Sequence, residues 1–250
     1  MLSLVLLSSM DKIMITKMCG NEKTALYGLA YSCGVVILLL LTSLNDAYAP
    51  WLGDKLNSNK IEEIRKFSKK YIAIFLLFSY GIMLVIPELL LILGGENYIE
   101  AKFVLAPVAM SYVFQFLYTM FVNIEQFKKK TFSMAIASVS AAIINYILNL
   151  IFIPKYGYVA AAYTTIFSYI CLLMVHMIVV HKIGYSNIYD YKFIIVICIL
   201  SLLVLITINL LYSYYILRYI FVGSYITITL ILFNKYKKEI MGIIKSLRNK

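Results

Sequence analysis

Asp11 and Lys12 are adjacent ionisable residues inside an apolar N-terminal run, MLSLVLLSSMDKIMI. Side chains at i and i+1 of a helix do not face each other, so these two do not pair and each needs another partner or water. An ionisable residue inside a membrane helix is costly, and it marks an ion or substrate pathway by default. Asp11 is suited to a proton or cation relay and Lys12 to an anion contact. The alternative is that both sit near an interface and snorkel.

Neutral polar residues form a second set. Ser111, Gln115, Thr119 and Asn123 follow at four-residue spacing, as do Ser133, Ala137, Ala141, Asn145 and Asn149. Ala160, Thr164 and Ser168 repeat the pattern. At 3.6 residues per turn each step drifts by about 40°, so each set covers part of one helix face. Two readings stand side by side. Small residues let helices approach closely and amides bridge them, which makes a packing seam. The same faces could line a polar cavity, and there Gln115, Asn123, Asn145 and Asn149 are the better candidates because amides supply neutral donors and acceptors.

Other chemistry is poorly represented. Cys19, Cys33, Cys171 and Cys198 form no CxxC pair, and only His176 and His181 could join them at a metal. No metal site or cofactor is expected, and the cysteines read as small packing residues. There is no histidine pair and no DxD, and His176 reads as interfacial. An enzyme is therefore not expected. Glu88, one residue after Pro87, is expected to snorkel to an interface.

These residues need elements to hold them, and the composition says which. The chain has 250 residues, of which 62% are hydrophobic and 14% charged, with mean hydropathy +0.87. A soluble domain carries roughly a quarter charged residues, and disorder needs low hydrophobicity. The expected fold is an all-α polytopic membrane protein. A span needs about 20 apolar residues. Eight segments qualify: 1–18, 25–46, 70–93, 102–124, 131–153, 158–180, 192–212 and 214–233.

The net charge of +11 would raise the question of nucleic acid in a soluble protein. Here the basic residues lie between apolar segments, so the expected partner is the anionic membrane surface and not nucleic acid. Seventeen of the 23 basic residues fall in 47–70, 125–130, 181–192 and 234–250, and four fall in the alternate connections. That is a positive-inside pattern, and it puts both termini in the cytoplasm. The connection 47–69 is the only long one, and it is expected to hold a short interfacial helix starting at Asn59 with Glu62 as capping partner. Pro154 is expected to end the fifth segment. The last two segments carry few polar residues and read as lipid-facing additions.

Several motifs, taken in order, resemble a known family. SSMDKIMI (8–15) and YGLAYSCG (27–34) are followed by LGGENYIEA (93–101) and NIEQFKKKT (123–131). INYILNLIFIPKYGYVAAAYTTIFSY (144–169) comes next. The set resembles the second half of bacterial lipid-linked oligosaccharide flippases, the polysaccharide-transporter branch of the multidrug/oligosaccharidyl-lipid/polysaccharide exporter superfamily. The resemblance covers roughly residues 1–180.

It implies one six-helix bundle (1–180, its first helix truncated), two accessory helices (181–233) and a basic cytoplasmic tail (234–250). It also implies residence in a bacterial cytoplasmic membrane. The implied activity is flipping of an undecaprenyl-pyrophosphate-linked oligosaccharide for surface polysaccharide synthesis, by alternating access of two bundles. The implied partners are that lipid-linked oligosaccharide, membrane lipids, an N-terminal bundle of the same exporter and the polysaccharide assembly machinery. Asp11 and Lys12 match the aspartate and basic residue that the family places in its cavity, with H⁺ or Na⁺ as coupling ion. Asn145 and Asn149 match the family pattern too. The first bundle has no counterpart in these 250 residues, so transport is expected only as part of a longer or split protein. Two other readings remain: a cation-coupled small-molecule exporter of the same superfamily, and an inactive C-terminal fragment.

Overall fold

The structure, a computed structural model, describes residues 2–248, with side chains described from 9 to 237 apart from 97, 232 and 236. Ser8 of the first motif and the tail side chains beyond residue 237 lie outside those described. In a bilayer every backbone polar group must be bonded within the chain, and a helix does this locally. Among the described residues all regular structure is helical. The helices are α1 (Leu2–Cys19), α2 (Asn21–Asn57), α3 (Ile61–Leu84), α4 (Ile86–Gly94), α5 (Lys102–Phe127), α6 (Thr131–Tyr156), α7 (Val159–Val180), α8 (Tyr191–Leu211) and α9 (Tyr215–Arg248). A 3₁₀ segment, Glu96–Ala101, leads into α5, and a π turn, His181–Tyr185, follows α7.

Seven spans among the described residues are long and apolar enough to cross a membrane. They correspond to the second through eighth expected segments. The first expected segment, α1, lies partly outside the residues with described side chains, and it is not among the seven.

The α5 helix is the centre of the bundle. It packs most extensively on α7 and α2, and also on α8 and α3. Its span is 89% buried, against 28% for α6 and α8 and 6% for α9. The second layer closes on it through α1, which packs between α2 and α6, while α6 lies along α7. Small residues permit this closeness. At Gly34 of α2, an added Cβ would stand 2.9 Å from Tyr112 and 3.2 Å from Val108 on α5. Gly157, at φ 73°, turns the chain between α6 and α7 in the left-handed region, which glycine adopts without steric cost.

Three expectations about boundaries are corrected. No separate interfacial helix occupies 47–69. Instead α2 continues through Pro50 to Asn57, and α3 starts at Ile61, so both extend well beyond the apolar stretch. Asn59 does not cap α3. It sits in the left-handed region at φ 55° in the turn, and the residue before α3 is Lys60. A salt bridge from Lys55 to Glu63 ties the two helices on either side of that turn.

The third segment (70–93) divides at Val85 (φ −104°, ψ 15°), because Pro87 cannot donate the hydrogen bond that would carry α3 onward. Pro154 does not end its helix. α6 runs two residues further to Tyr156 and stops at Gly157.

The break at Val85 leaves carbonyls of α3 free, and the last two helices use them. Tyr212 donates to Met83 O at 2.5 Å and Arg218 to Leu84 O at 3.2 Å. Arg218 also forms a bidentate pair with Glu88, both bonds 2.6 Å, and the Tyr219 hydroxyl donates to the same carboxylate at 2.6 Å. Glu88 therefore does not snorkel alone as expected, because a guanidinium from α9 reaches it first. Tyr225 donates to the Leu77 carbonyl further along α3.

Candidate functional site

Asp11 is fully buried. It sits where α1, α2, α6 and α7 meet, and each of the other three helices sends it one donor. Asn149 Nδ2 of α6 donates to Oδ1 at 2.6 Å. The Tyr27 hydroxyl of α2 donates to Oδ2 at 2.6 Å, and the Thr165 hydroxyl of α7 donates to the same oxygen at 2.8 Å. Helical spacing explains the convergence: Asn145 and Asn149 are one turn apart on the buried face of α6, whose other buried residues include Ala137 and Ala141.

Two of these ligands, Asn149 and Thr165, are in turn bonded to Asn145, and Asn149 to Thr164 as well. Asn145 Nδ2 donates to the Thr165 hydroxyl at 3.2 Å, and Asn149 Nδ2 lies 3.1 Å from Asn145 Oδ1. The Thr164 hydroxyl donates to Asn149 Oδ1 at 2.5 Å. Asn145, Asn149, Thr164 and Thr165 are all buried.

All three donors to Asp11 are neutral. Among the described residues no basic side chain pairs with it. Lys12 turns away, its ammonium 5.8 Å from the centre of the Tyr31 ring. A buried carboxylate without a counter-charge is expensive. Neutral hydrogen bonds offset part of that cost, and a bound proton or a small cation would remove the rest. The oxygens of Asp11, Tyr27, Thr165 and the two asparagines are hard donors of the kind that suit such a cation. Among the described residues there is no group of three or more His, Cys, Asp and Glu side chains able to hold a metal ion.

Thr164 also faces the other way. A groove of about 640 Å³ between α6 and α7 is lined by Leu148, Phe152, Tyr156, Tyr163, Thr164 and Phe167 among others. Its wall is almost wholly apolar. The Thr164 hydroxyl thus stands one side chain, Asn149, away from Asp11.

The structure brings together three of the six residues expected at the site: Asp11, Asn145 and Asn149. The other three lie elsewhere. Lys12 is half-buried beside Tyr31. Asn123 donates to Asn45 Oδ1 at 2.8 Å and ties α5 to α2. Gln115 is buried in α5, and its Oε1 has no hydrogen-bond partner among the described residues.

Tyr27 and Thr165 were not among the expected site residues. Both lie inside quoted motifs, YGLAYSCG and the run ending TTIFSY, but nothing in their spacing marks them as ligands of Asp11. Two further residues were misplaced. Glu125 falls in what was read as a connection, yet it is fully buried on α5, and His176, read as interfacial, is buried against it at 2.6 Å. The physical reason is length: α5 continues through 125 to Phe127, so Glu125 stays within the bundle.

Comparison with known proteins gives one family. Residues 1–151 match the family described as MatE. No curated protein and no solved structure matches the chain. The match takes in α1, ends within α6 and includes Asp11, Tyr27, Asn145 and Asn149 but neither Thr164 nor Thr165, and the chain belongs to the MatE family of membrane transporters.

Proposed function

We propose that the Asp11 cluster is the ion-coupling site of an exporter whose cargo is a lipid-linked oligosaccharide, and that this chain supplies one bundle of that exporter. The observation that carries the reading is the buried carboxylate with three neutral donors and no counter-charge. Such a group changes its free energy steeply when a proton or Na⁺ arrives. It is shared by four helices, so its charge state bears on how those helices pack. Thr164 links the same cluster to the groove between α6 and α7, which gives cargo and ion a common wall. The ordered motifs of the sequence favour the oligosaccharide cargo and a bacterial cytoplasmic membrane, with the lysine-rich connections inside. A partner bundle is part of this reading, because alternating access requires two bodies that rock about one site.

A second reading is a cation-coupled exporter of apolar small molecules. The groove favours it: its volume lies in the range of small-molecule sites, roughly 300–1,000 Å³, and its lining is aromatic and apolar.

One genetic experiment separates the readings. Cells lacking the chain are compared with cells carrying the wild type or Asp11→Asn. Lipid-linked repeat units retained on the cytoplasmic leaflet, with loss of surface polysaccharide, support the flippase. Drug sensitivity with normal surface glycan supports the small-molecule exporter. No change in either would overturn both and favour an inactive chain.

A further inference from the structure

A second buried polar centre lies well away from Asp11. Glu125 of α5 and His176 of α7 are 0% and 1% exposed. Glu125 Oε1 and His176 Nδ1 are 2.6 Å apart, and Ser133 Oγ of α6 is 2.6 Å from Glu125 Oε2. Both carboxylate oxygens are thus engaged, and a carboxylate only accepts, so Nδ1 carries a proton and donates it. The Tyr118 ring stacks on the imidazole at 5.8 Å.

The basic side chain that pairs with Glu125 is His176; on α3, which also packs on α5, Arg65 donates to the Asn187 carbonyl, Lys69 pairs with Asp190 and Lys70 is exposed. Along α5 and its turn, Lys128, Lys129 and Lys130 are exposed, and Lys128 lies over the Phe127 and Tyr185 rings. From α6 the side chain on the pair is Ser133. Beyond α7, His181 and Lys182 are exposed. Near α8, Asp190 is held by Lys69 and the Tyr191 hydroxyl reaches the Met177 carbonyl, while Lys192 is exposed. On α2, Asn45 accepts from Asn123 and Asp46 is exposed.

We infer that Glu125 and His176 form a second proton-binding site, at the lysine-rich end of the bundle: Nδ1 keeps its proton on Glu125, and the proton taken up enters at the other ring nitrogen, Nε2. Three features carry this. Imidazole is the side chain whose charge ordinarily changes near neutral pH. A buried carboxylate facing an imidazole can carry either one or two protons between them without changing partners. Ser133, half-buried beside the exposed Thr131 and Phe132, holds the second carboxylate oxygen at 2.6 Å and so supports the charge that faces the imidazole.

The site also lies on one buried line with Asp11. Thr165 and His176 are eleven residues apart on α7, about 16 Å at 1.5 Å per residue. Between them stand Tyr169, Tyr118 and Tyr31. Tyr118 and Tyr169 have ring centres 5.6 Å apart, and Tyr31 lies 5.1 Å from Tyr27, the ligand of Asp11. This inference does not rest on the transport reading, and its test has no transport readout.

His181→Gln leaves His176 as the sole imidazole of the chain. The full chain with that substitution, ¹⁵N-labelled at histidine and held in lipid nanodiscs, is taken from about pH 8 to about pH 5, the range over which imidazole ordinarily titrates. The expected result is that the ring nitrogens pass from a singly to a doubly protonated signature. The chain is also expected to take up about one proton more than the same chain carrying His176→Gln. Glu125→Gln is expected to abolish the downfield Nδ1 proton signal of the short bond. Ring signals unchanged across that range, or unaffected by Glu125→Gln, would overturn the site and leave the pair as a fixed packing bond. Should His176→Gln fail to fold, the spectra of the His181→Gln chain decide alone.

Discussion

Asn149 donates to Asp11 across 138 residues of sequence at 2.6 Å, and the bond joins α6 to α1. Asn149→Leu is expected to leave one oxygen of a buried carboxylate unsatisfied and to destabilise the chain by about 1–3 kcal/mol. Asp11→Asn keeps the shape and removes the charge. It is expected to leave the fold intact and to lower ion-coupled transport about tenfold or more, the scale of typical coupling free energies. Thermal unfolding followed through Trp51, the single tryptophan and 4% exposed, separates the two effects. Full transport by Asp11→Asn would return the cluster to a packing role.

Gly34 has no room for a side chain. In Gly34→Ala the new Cβ meets the buried Tyr112 ring at 2.9 Å, and α2 must move off α5. A loss of about 1–3 kcal/mol is expected from overpacking. Gly28, on the same helix, has nothing within 4 Å of an added Cβ, so Gly28→Ala is expected to be neutral or slightly stabilising. Equal melting temperatures for the two variants would contradict this account of α2–α5 packing.

Arg218 holds α9 to the break between α3 and α4. Its side chain is 7% exposed and that of Glu88 is 32% exposed. Arg218→Met is expected to cost about 1–2 kcal/mol, less than the roughly 3–5 kcal/mol of a fully buried broken pair. The double change Glu88→Met with Arg218→Met should recover part of that loss, since neither charge is then left without its partner. A double mutant no more stable than Arg218→Met would show that the pair contributes nothing beyond shape.

Asp190 caps α8, accepting from the Phe193 amide at 3.1 Å, and pairs with Lys69 at 2.6 Å. The Lys69 hydrogen bond first, and the amide second, hold its carboxyl below the usual aspartate range. A depressed folded value means that the carboxylate stabilises above the ordinary value of about 3.9, and that this contribution fades as pH falls through the folded value. Asp190→Asn keeps a capping oxygen and removes the charge. The difference in melting temperature between wild type and variant is therefore expected near neutrality and should vanish in acid. A difference that persists unchanged at the lowest pH would assign the effect to something other than the charge.

Most of the architecture was legible because lipid imposes it. Apolar run length places α5, α6, α7 and α8 to within a few residues, and the lysines mark which connections share an end. The boundaries that went astray involve polar stretches. Residues 47–69 read as a connection with a short helix of its own, yet apart from the turn at 58–60 they extend α2 and α3, which brace each other beyond the apolar stretch. The site was half legible. Asp11, Asn145 and Asn149 stand out because charge and amides are rare in spans. Tyr27 and Thr165 do not, since tyrosines and threonines are common here and only three-dimensional convergence selects these two. Glu125 and His176 were missed because each, read singly, lies near a helix end. Their partnership is visible only when α5 and α7 are side by side.

The centrality of α5 has a consequence for how the protein is made. Helix α5 emerges from the ribosome before any of α6, α7 and α8, which later cover it. Until then Glu125 has no imidazole beside it, for His176 follows 51 residues later. At about 5–20 residues per second that interval is roughly 3–10 s. A helix carrying Gln115, Asn123 and an unpaired glutamate is a poor candidate to rest alone among lipid tails for so long. Its nascent chain should therefore linger at the insertion machinery and be released into the bilayer together with α7, so that synthesis order and final packing meet at one pair of side chains.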